Sequence, residues 1–288
     1  MRKYRKRLPA LLAAVVAMGV HPLINVGGGF VKARAAQDQT RQALTPVQVA
    51  TEEQRQRLSS TEIEDRRDAL MQLRALQRPE ASRAALAALN DPVPIVRATA
   101  AAAVLWLPGD ESAASLIPLL GDKDEFVRQQ TAYALGKTRS HSAVAALIEL
   151  LTDKKDSVRG AAAVALGEIA DATAVTSLAA VLNQQAGFPS KKGGKSKPEK
   201  NPFVLRAAAR SLGQIGNRAG SPALITVLQD EKTVADVRRE AAIALGAIGD
   251  ASAIPALQDA TTARDPYLAQ AAHEAIRKIS RSQTAGGG

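Results

Sequence analysis

The stretch DSVRGAAAVALG, residues 156–167, has a near copy upstream in EFVRQQTAYALG, residues 125–136, and another downstream in DVRREAAIALG, residues 236–246. When the Arg of the Val-Arg pair is taken as offset zero, seven copies follow one another at intervals of 31, 31, 31, 46, 33 and 31 residues. A unit of this length repeated in tandem is typical of a solenoid. The zero positions are Arg66, Arg97, Arg128, Arg159, Leu205, Arg238 and Ala269.

Each unit carries the apolar pattern of a helical hairpin. Offsets +3, +4 and +7 are apolar almost throughout, and this spacing marks one face of an α-helix. A second apolar segment precedes each Val-Arg pair, as in SAVAALIELL at residues 142–151. One hairpin cannot bury these faces alone, so the hairpins must stack. A glycine at +8, predicted to end or turn the helix in a left-handed conformation, occurs in four units as Gly136, Gly167, Gly213 and Gly246.

The pattern LxDxxxxVRxxAAxALGxIG, as in LLTDKKDSVRGAAAVALGEI at residues 150–169, resembles the HEAT-like repeat of the phycobilisome-lyase type. The resemblance covers about residues 62–280. It implies an all-α fold, a right-handed α-solenoid of about seven HEAT-like hairpins, which we place at residues 61–183 and 204–281. Such a fold does not fix a function.

An acidic and a basic residue recur at a fixed separation. Asp91, Asp122 and Asp153 each stand six residues before the Arg of their unit. We interpret these residues as a ladder of ion pairs and turn-capping hydrogen bonds that sets the spacing of the hairpins, and not as catalytic groups.

Two enzymatic precedents come with the resemblance, and the residues can be checked against the first. Deoxyhypusine hydroxylase carries His-Glu pairs at +1 and +2 that hold two irons, whereas here the one His-Glu pair, His273-Glu274, falls at +4 and +5. His141 lies about four repeats away, roughly 30–40 Å at the usual helix spacing, too far to share a metal ion with His273. There is also no P-loop, nucleophile elbow or cysteine. We therefore predict no catalysis and no cofactor, with an enzyme or subunit related to bilin lyases or the metal-dependent hydroxylase as the alternative.

The first 35 residues have the organisation of an export signal. They contain the basic start RKYRKR, an apolar run and a small-x-small site at residues 33–35. Cleavage there predicts a periplasmic or secreted protein; an uncleaved segment would instead be an N-terminal membrane anchor. Residues 36–60 are interpreted as a polar leader, and Thr61 with Glu64 as a capping box that opens the first hairpin helix.

The excess of positive charge lies outside the predicted hairpins. The chain has a formal charge of +10, of which residues 1–35 supply seven and the insertion at residues 184–203 supplies four. The insertion is rich in Lys, Gly, Pro and Ser, so we predict a flexible basic segment, and we predict a disordered tail at residues 282–288. With few aromatic residues near these lysines, no nucleic acid is expected as a partner.

The offsets that vary between units, +1, +2, +5 and +9, are predicted to face solvent. In HEAT solenoids the second helix of each hairpin lines the concave side. Here that helix carries the Val-Arg pair, so these positions are where a partner would bind. We predict another protein with an acidic or extended segment as the partner, and a membrane only if residues 1–35 stay attached. Trp106, at +9, is interpreted as a residue that packs at the end of its hairpin, with a binding anchor as the alternative. The predicted binding residues are Gln129, Gln130, Tyr133, Arg206, Arg210 and Arg239.

Overall fold

The computed structural model describes residues 44–183 and 199–285, and over these ranges the chain forms fourteen α-helices and no strand. The predicted all-α solenoid is confirmed. The helices are α1 (Pro46–Arg57), α2 (Ile63–Ala75), α3 (Pro79–Ala85), α4 (Pro94–Ala103), α5 (Gly109–Leu116), α6 (Glu125–Thr138), α7 (Val144–Leu150), α8 (Asp156–Ile169), α9 (Val175–Leu182), α10 (Pro202–Ile215), α11 (Ser221–Gln229), α12 (Ala235–Ile248), α13 (Ile254–Ala260) and α14 (Pro266–Ala285).

The helices form two layers. The helices that begin near a Val-Arg pair, here called the long helices, are α2, α4, α6, α8, α10, α12 and α14, and each packs on the next. The shorter helices between them form the second layer and pack less extensively on one another. The leucines at +7 are fully buried between the layers, as the pattern predicts: Leu73, Leu135, Leu166, Leu212 and Leu245.

The glycines at +8 lie inside the long helices, so the prediction that they end the helix is wrong. A Cβ atom built on Gly213 would lie 2.8 Å from the Cα atom of Ala244, and one built on Gly246 would lie 2.7 Å from the Cα atom of Ala275. These glycines therefore allow close approach of neighbouring helices. The left-handed residues occur three positions later, at +11, with φ of 52° to 74°: Gln77, Arg139, Ala170, Gly216 and Gly249.

The predicted Asp–Arg ladder is confirmed, but each ion pair joins two units. Arg128 donates from Nε and Nη2 to both carboxylate oxygens of Asp153, 25 residues later, at 2.8 and 3.0 Å. Its Nη1 donates to the backbone oxygen of Asp122 in its own unit. Each arginine thus ties its own turn to the turn of the next hairpin. The same arrangement joins Arg66 to Asp91 and Arg97 to Asp122.

The fourth ladder position uses a residue from the end of the insertion. Arg159 donates to Glu199 at 2.6 Å, and Asn201 caps α10, which begins at Pro202. Residues 199–203 therefore belong to the folded stack, which corrects the predicted boundary of the flexible segment. Residues 184–198, for which flexibility is predicted, lie outside the described residues.

Both ends of the stack are more helical than the sequence predicts. The polar leader contains α1, which opens with a capping box formed by Thr45 and Gln48 and packs on α2 and α3. The capping box predicted at Thr61 is wrong, because Glu62 is the N-cap of α2 and makes no side-chain capping bond. The predicted tail at 282–288 is also corrected, since α14 continues to Ala285.

The predicted export signal at residues 1–35 lies outside the described residues. Within the part that the structure describes, no helix is both long and apolar enough to cross a membrane.

Candidate interaction surface

The six predicted binding residues lie on the long helices but do not form one cluster. Gln129, Gln130 and Tyr133 are half-buried on α6. Arg206 and Arg210 are exposed on α10, and α8 stands between these two groups in the stack. The predicted surface therefore divides into a polar part and a basic part.

The basic part is largely neutralised by acidic residues of the same chain. Arg210 donates from Nε and Nη2 to both carboxylate oxygens of Glu240, at 3.0 and 2.8 Å, and this hydrogen-bonded pair raises the pKa of Arg210 above its ordinary value. Arg239 pairs with Asp236 and Asp265, at 3.2 and 3.3 Å. Of the three predicted arginines, Arg206 alone makes no ion pair with a residue that the structure describes.

An apolar groove opens elsewhere on the long helices, across α2, α4 and α6. It encloses about 740 Å³, and its apolar surface includes Trp106, which is 43% exposed, and Met71, which is 50% exposed. Large apolar side chains with this exposure mark surfaces that bind other molecules when they lie together. We call this site the Trp106 groove. Its lining residues are Met71, Arg74, Ala75, Gln77, Ala102, Leu105, Trp106 and Lys137.

The Trp106 groove exists because α4, the long helix of the second unit, is shorter than its counterparts in the neighbouring units. Pro108 occupies offset +11, where the other units with a described turn have a residue of positive φ, and its φ is −48°. The proline ring fixes φ near −65°, so the left-handed turn cannot form. Instead α4 ends at Ala103, after ten residues compared with fourteen in α6, and Leu105 and Trp106 follow in an irregular turn. The prediction that Trp106 is packed is therefore wrong, and the sequence signal for its exposure is the proline at +11.

The rim of the groove carries two cationic side chains, one of which is paired with an acidic residue. Arg74 is exposed on α2, and the described residues provide no ion pair for it. Lys137 lies opposite on α6, 63% exposed, with its Nζ 2.5 Å from an oxygen of Glu168. An apolar floor with cationic groups at its edge suits an apolar side chain that has an acidic residue next to it.

The histidines are not part of this surface. His141 Nδ1–H donates to Asp171 of the next unit at 2.6 Å, which lowers the pKa of Asp171 to about 2 together with hydrogen bonds from Thr173. His273 is exposed on α14. Over the described ranges, no three His, Asp or Glu side chains are grouped so that they would hold a metal ion.

Comparison with known proteins identifies the repeat. A family model described as HEAT repeats matches residues 51–136, 113–188 and 197–277, which together make up more than half of the chain.

Individual relatives are more distant. Deoxyhypusine hydroxylase-B of Oryza sativa subsp. japonica is 35% identical over 80 residues, which are 28% of this chain and 26% of that protein, so the match spans about a quarter of the curated relative. A chain of the AP-3 complex in an intermediate open conformation has a TM-score of 0.60 at 14% identity, covering 89% of this chain and 49% of that one. The CpcE–CpcF complex of phycocyanin lyase from Nostoc sp. has a TM-score of 0.47 at 22% identity, covering 91% and 98%. At 14% identity the AP-3 chain shows the fold alone.

Proposed function

Because this chain belongs to the family of HEAT-repeat proteins, we propose that it is a scaffold or adaptor that binds another protein through the exposed face of its long helices and carries out no catalysis of its own. The observation that supports this proposal is the Trp106 groove. It brings the single tryptophan of the chain to the surface beside a second exposed apolar residue, Met71. Tryptophan is among the residues that contribute most to binding energy in protein interfaces.

The occupant that fits the groove is a segment of another protein with one apolar side chain and an adjacent Asp or Glu. The apolar side chain covers Trp106 and Met71, and the acidic residue meets Arg74, because Lys137 is already paired with Glu168. A charge at the edge of such a contact contributes mainly to specificity and to the rate of association. This refines the predicted acidic or extended partner segment, and it moves the expected contact from the arginines of α10 and α12 to the N-terminal half of the stack.

Peptide selection on the full chain tests this proposal. A displayed library of random peptides without tryptophan is selected for binding, so that Trp106 remains the only source of tryptophan fluorescence. We expect enriched peptides to combine an apolar residue with Asp or Glu and to shift the emission of Trp106 to shorter wavelength as water is excluded. Replacement of Trp106 by Ala should weaken binding by more than about tenfold, the effect of an anchor residue worth at least 1.4 kcal/mol.

Phe126→Ala is the matched control, since Phe126 is 42% exposed but does not line the groove. This variant should bind the selected peptides as the parent chain does. The binding surface would lie elsewhere if the selected peptides bound the Trp106→Ala variant as tightly as the parent chain and left the tryptophan fluorescence of the parent chain unchanged.

An enzyme subunit is the second candidate, favoured by the 80-residue match to deoxyhypusine hydroxylase-B. The His-Glu pairs of that family are missing at +1 and +2 in every unit of this chain. The metal content of the purified chain separates the two candidates. Iron at stoichiometric occupancy would favour a hydroxylase-like activity over the scaffold.

Export is also part of the proposal, supported by the sequence of residues 1–35. The intact mass of the protein isolated from its cell decides between a cleaved signal and a retained membrane anchor. A mass that begins near Ala36 supports a periplasmic or secreted protein, and a full-length mass supports the anchor.

A further inference from the structure

The ladder of ion pairs does not continue beyond the fourth unit, because Leu205 stands in place of the arginine in the fifth unit and Arg238 of the sixth unit lacks its carboxylate. The arginines of the first four units each meet a carboxylate supplied by the following unit or by the end of the insertion. Arg238 occupies the equivalent position in the sixth unit. The partner of Arg128 is Asp153, six residues before the zero position of the next unit, and the residue at the corresponding place after Arg238 is Ala263. The carboxylate that this arginine would bind is absent from the sequence at that position.

Arg238 is held near its turn without an ion pair. Its Nε donates to the backbone oxygen of Leu228 at 2.8 Å, and the side chain is half-buried. No described residue accepts a hydrogen bond from its Nη1 or Nη2 or forms a salt bridge with it. A guanidinium group has five N–H donors, and the four on Nη1 and Nη2 have no acceptor among the described residues. Arg238 lines the adjoining cleft.

The cleft at Arg238 has a counterpart in the same molecule in which the ladder carboxylate is present. The cleft at Arg238 encloses about 730 Å³, and the cleft at Arg128 encloses about 660 Å³. Their lining residues correspond by offset: Ala256 with Ala146, Asp259 with Glu149, Ala260 with Leu150, Thr262 with Thr152, Ala263 with Asp153 and Arg264 with Lys154. Asp153 is the charged group that the cleft at Arg238 lacks.

Three acidic residues, Glu231, Asp259 and Asp265, also line the cleft, together with the cations Arg238 and Arg264. Asp259 is exposed at the offset that Glu149 occupies beside the intact pair of Arg128 and Asp153. Glu231 is exposed. Asp265 pairs with Arg239 and accepts hydrogen bonds from the first backbone amides of α14.

One more acidic residue approaches Arg238 from its own turn. Asp230 accepts hydrogen bonds from the hydroxyl of Thr233 and the backbone of Lys232, and these bonds lower its pKa together with the nearby charges of Lys232 and Arg238. It forms no salt bridge with Arg238. Arg264 adds a second cation at the rim of the cleft.

We propose that the cleft at Arg238 is a binding site for a side-chain carboxylate, an Asp or Glu of the bound partner protein, which takes the place that Asp153 fills beside Arg128. This inference rests on the proposed function for the source of the carboxylate.

The test uses ¹⁵N NMR of the arginine Nε–H groups in the full chain. The probe is the blocked peptide acetyl-Ala-Glu-Ala-amide, with acetyl-Ala-Gln-Ala-amide as the neutral control and acetyl-Ala-Ala-Ala with a free carboxyl terminus as the third arm. We expect the Glu peptide to shift the Arg238 resonance in a saturable manner, the Gln peptide to leave it unchanged and the terminal carboxylate to bind more weakly. Loss of one bidentate charged contact corresponds to about a tenfold change in the dissociation constant.

Two variants make the interpretation specific. Ala263→Asp should complete the ladder position, raise the melting temperature and abolish the response of Arg238 to the Glu peptide. Asp153→Ala creates the same gap beside Arg128 and should give that arginine a response it lacks in the parent chain. Since Asp153→Ala removes stability, its fold is checked by circular dichroism, and Ala263→Asp alone suffices if it does not fold.

Equal responses to the Glu and Gln peptides, or an unchanged response in Ala263→Asp, would overturn the carboxylate site. A stronger response to the free carboxyl terminus would overturn the assignment to a side chain. These outcomes are independent of the Trp106 groove, because neither the peptides nor the variants involve its residues. The proposed function is tested by different results, namely selected peptides whose binding does not depend on Trp106 and iron at stoichiometric occupancy in the purified chain.

Discussion

Replacement of Gly213 by alanine tests the close packing of α10 on α12. The new Cβ atom would lie 2.8 Å from the Cα atom and 2.9 Å from the Cβ atom of Ala244, where about 3.4 Å is the lower end of ordinary contact. Ala244 is 2% exposed, and α12 is packed on its far side by α14. The two helices must therefore separate by about half an ångström.

Two opposing effects set the magnitude. Overpacking of this kind costs about 1–3 kcal/mol, and here the upper half of that range applies because both contacts involve backbone or Cβ atoms that cannot rotate away. The gain in helix propensity from Gly to Ala returns about 1 kcal/mol. We expect a net destabilisation of about 1–2 kcal/mol.

Urea unfolding followed by circular dichroism measures the effect, with hydrogen exchange of α10 and α12 to locate it. Gly121→Ala is the control, because a Cβ atom there would meet nothing within 4 Å, and it should change stability by no more than about 0.5 kcal/mol. A rise in stability of about 1 kcal/mol in Gly213→Ala, as helix propensity alone requires, would refute the role assigned to close packing.

Three further predictions concern the ladder, acid stability and the short α4. Removal of a ladder carboxylate by Asp153→Ala should destabilise the chain by about 3 kcal/mol, because it leaves the 7%-exposed guanidinium of Arg128 unpaired; urea unfolding measures this, and a loss below about 0.5 kcal/mol would show that the pair is dispensable. The pKa of Asp171, about 2 in the folded chain, lies below the unfolded value of about 3.9, so its contribution to stability is present above pH 4 and is lost as the pH falls towards 2. In the His141→Ala variant, NMR titration of the carboxyl groups should show a higher pKa for Asp171. An unchanged pKa would mean that the hydrogen bond from His141 does not lower it. Pro108→Gly should let α4 extend, and acrylamide quenching of the single tryptophan should fall; unchanged quenching would mean that the proline does not control its exposure.

Much of the stack follows from the repeat pattern alone. The alternation of long and short helices, the buried leucines at +7 and the existence of an ion-pair ladder all depend on residues within 31 positions of one another, and the sequence shows them directly. The ion-pair partner of each arginine could not be predicted from the sequence. The nearest acid precedes the arginine by six residues, whereas the carboxylate that the guanidinium group contacts lies 25 residues later. Sequence separation does not report which turn a stacked hairpin presents to its neighbour.

The candidate surface was harder to predict for a related reason. Two of the predicted arginines, Arg210 and Arg239, share their charge with Glu240 and Asp265 from neighbouring units, contacts that only the stacked structure shows. For Trp106 packing was favoured over a role as a binding anchor, and its exposure did not follow from the pattern because it depends on Pro108, two residues later, which forbids the left-handed turn of the other units. Departures from the repeat at +11 and at the ladder positions were therefore more informative about candidate sites than the conserved pattern itself.

The ladder position filled by Glu199 has a consequence for how such a chain can change during evolution. Arg159 meets its carboxylate 40 residues later instead of 25, with the hydrogen-bonding role of the missing aspartate taken over by the first described residue after the gap. At this junction the stack accommodates added chain because the returning segment brings back one acidic oxygen. The junction between α9 and α10 is therefore a natural point for acquiring new sequence, for dividing the protein into two associating fragments, or for joining it in a new order.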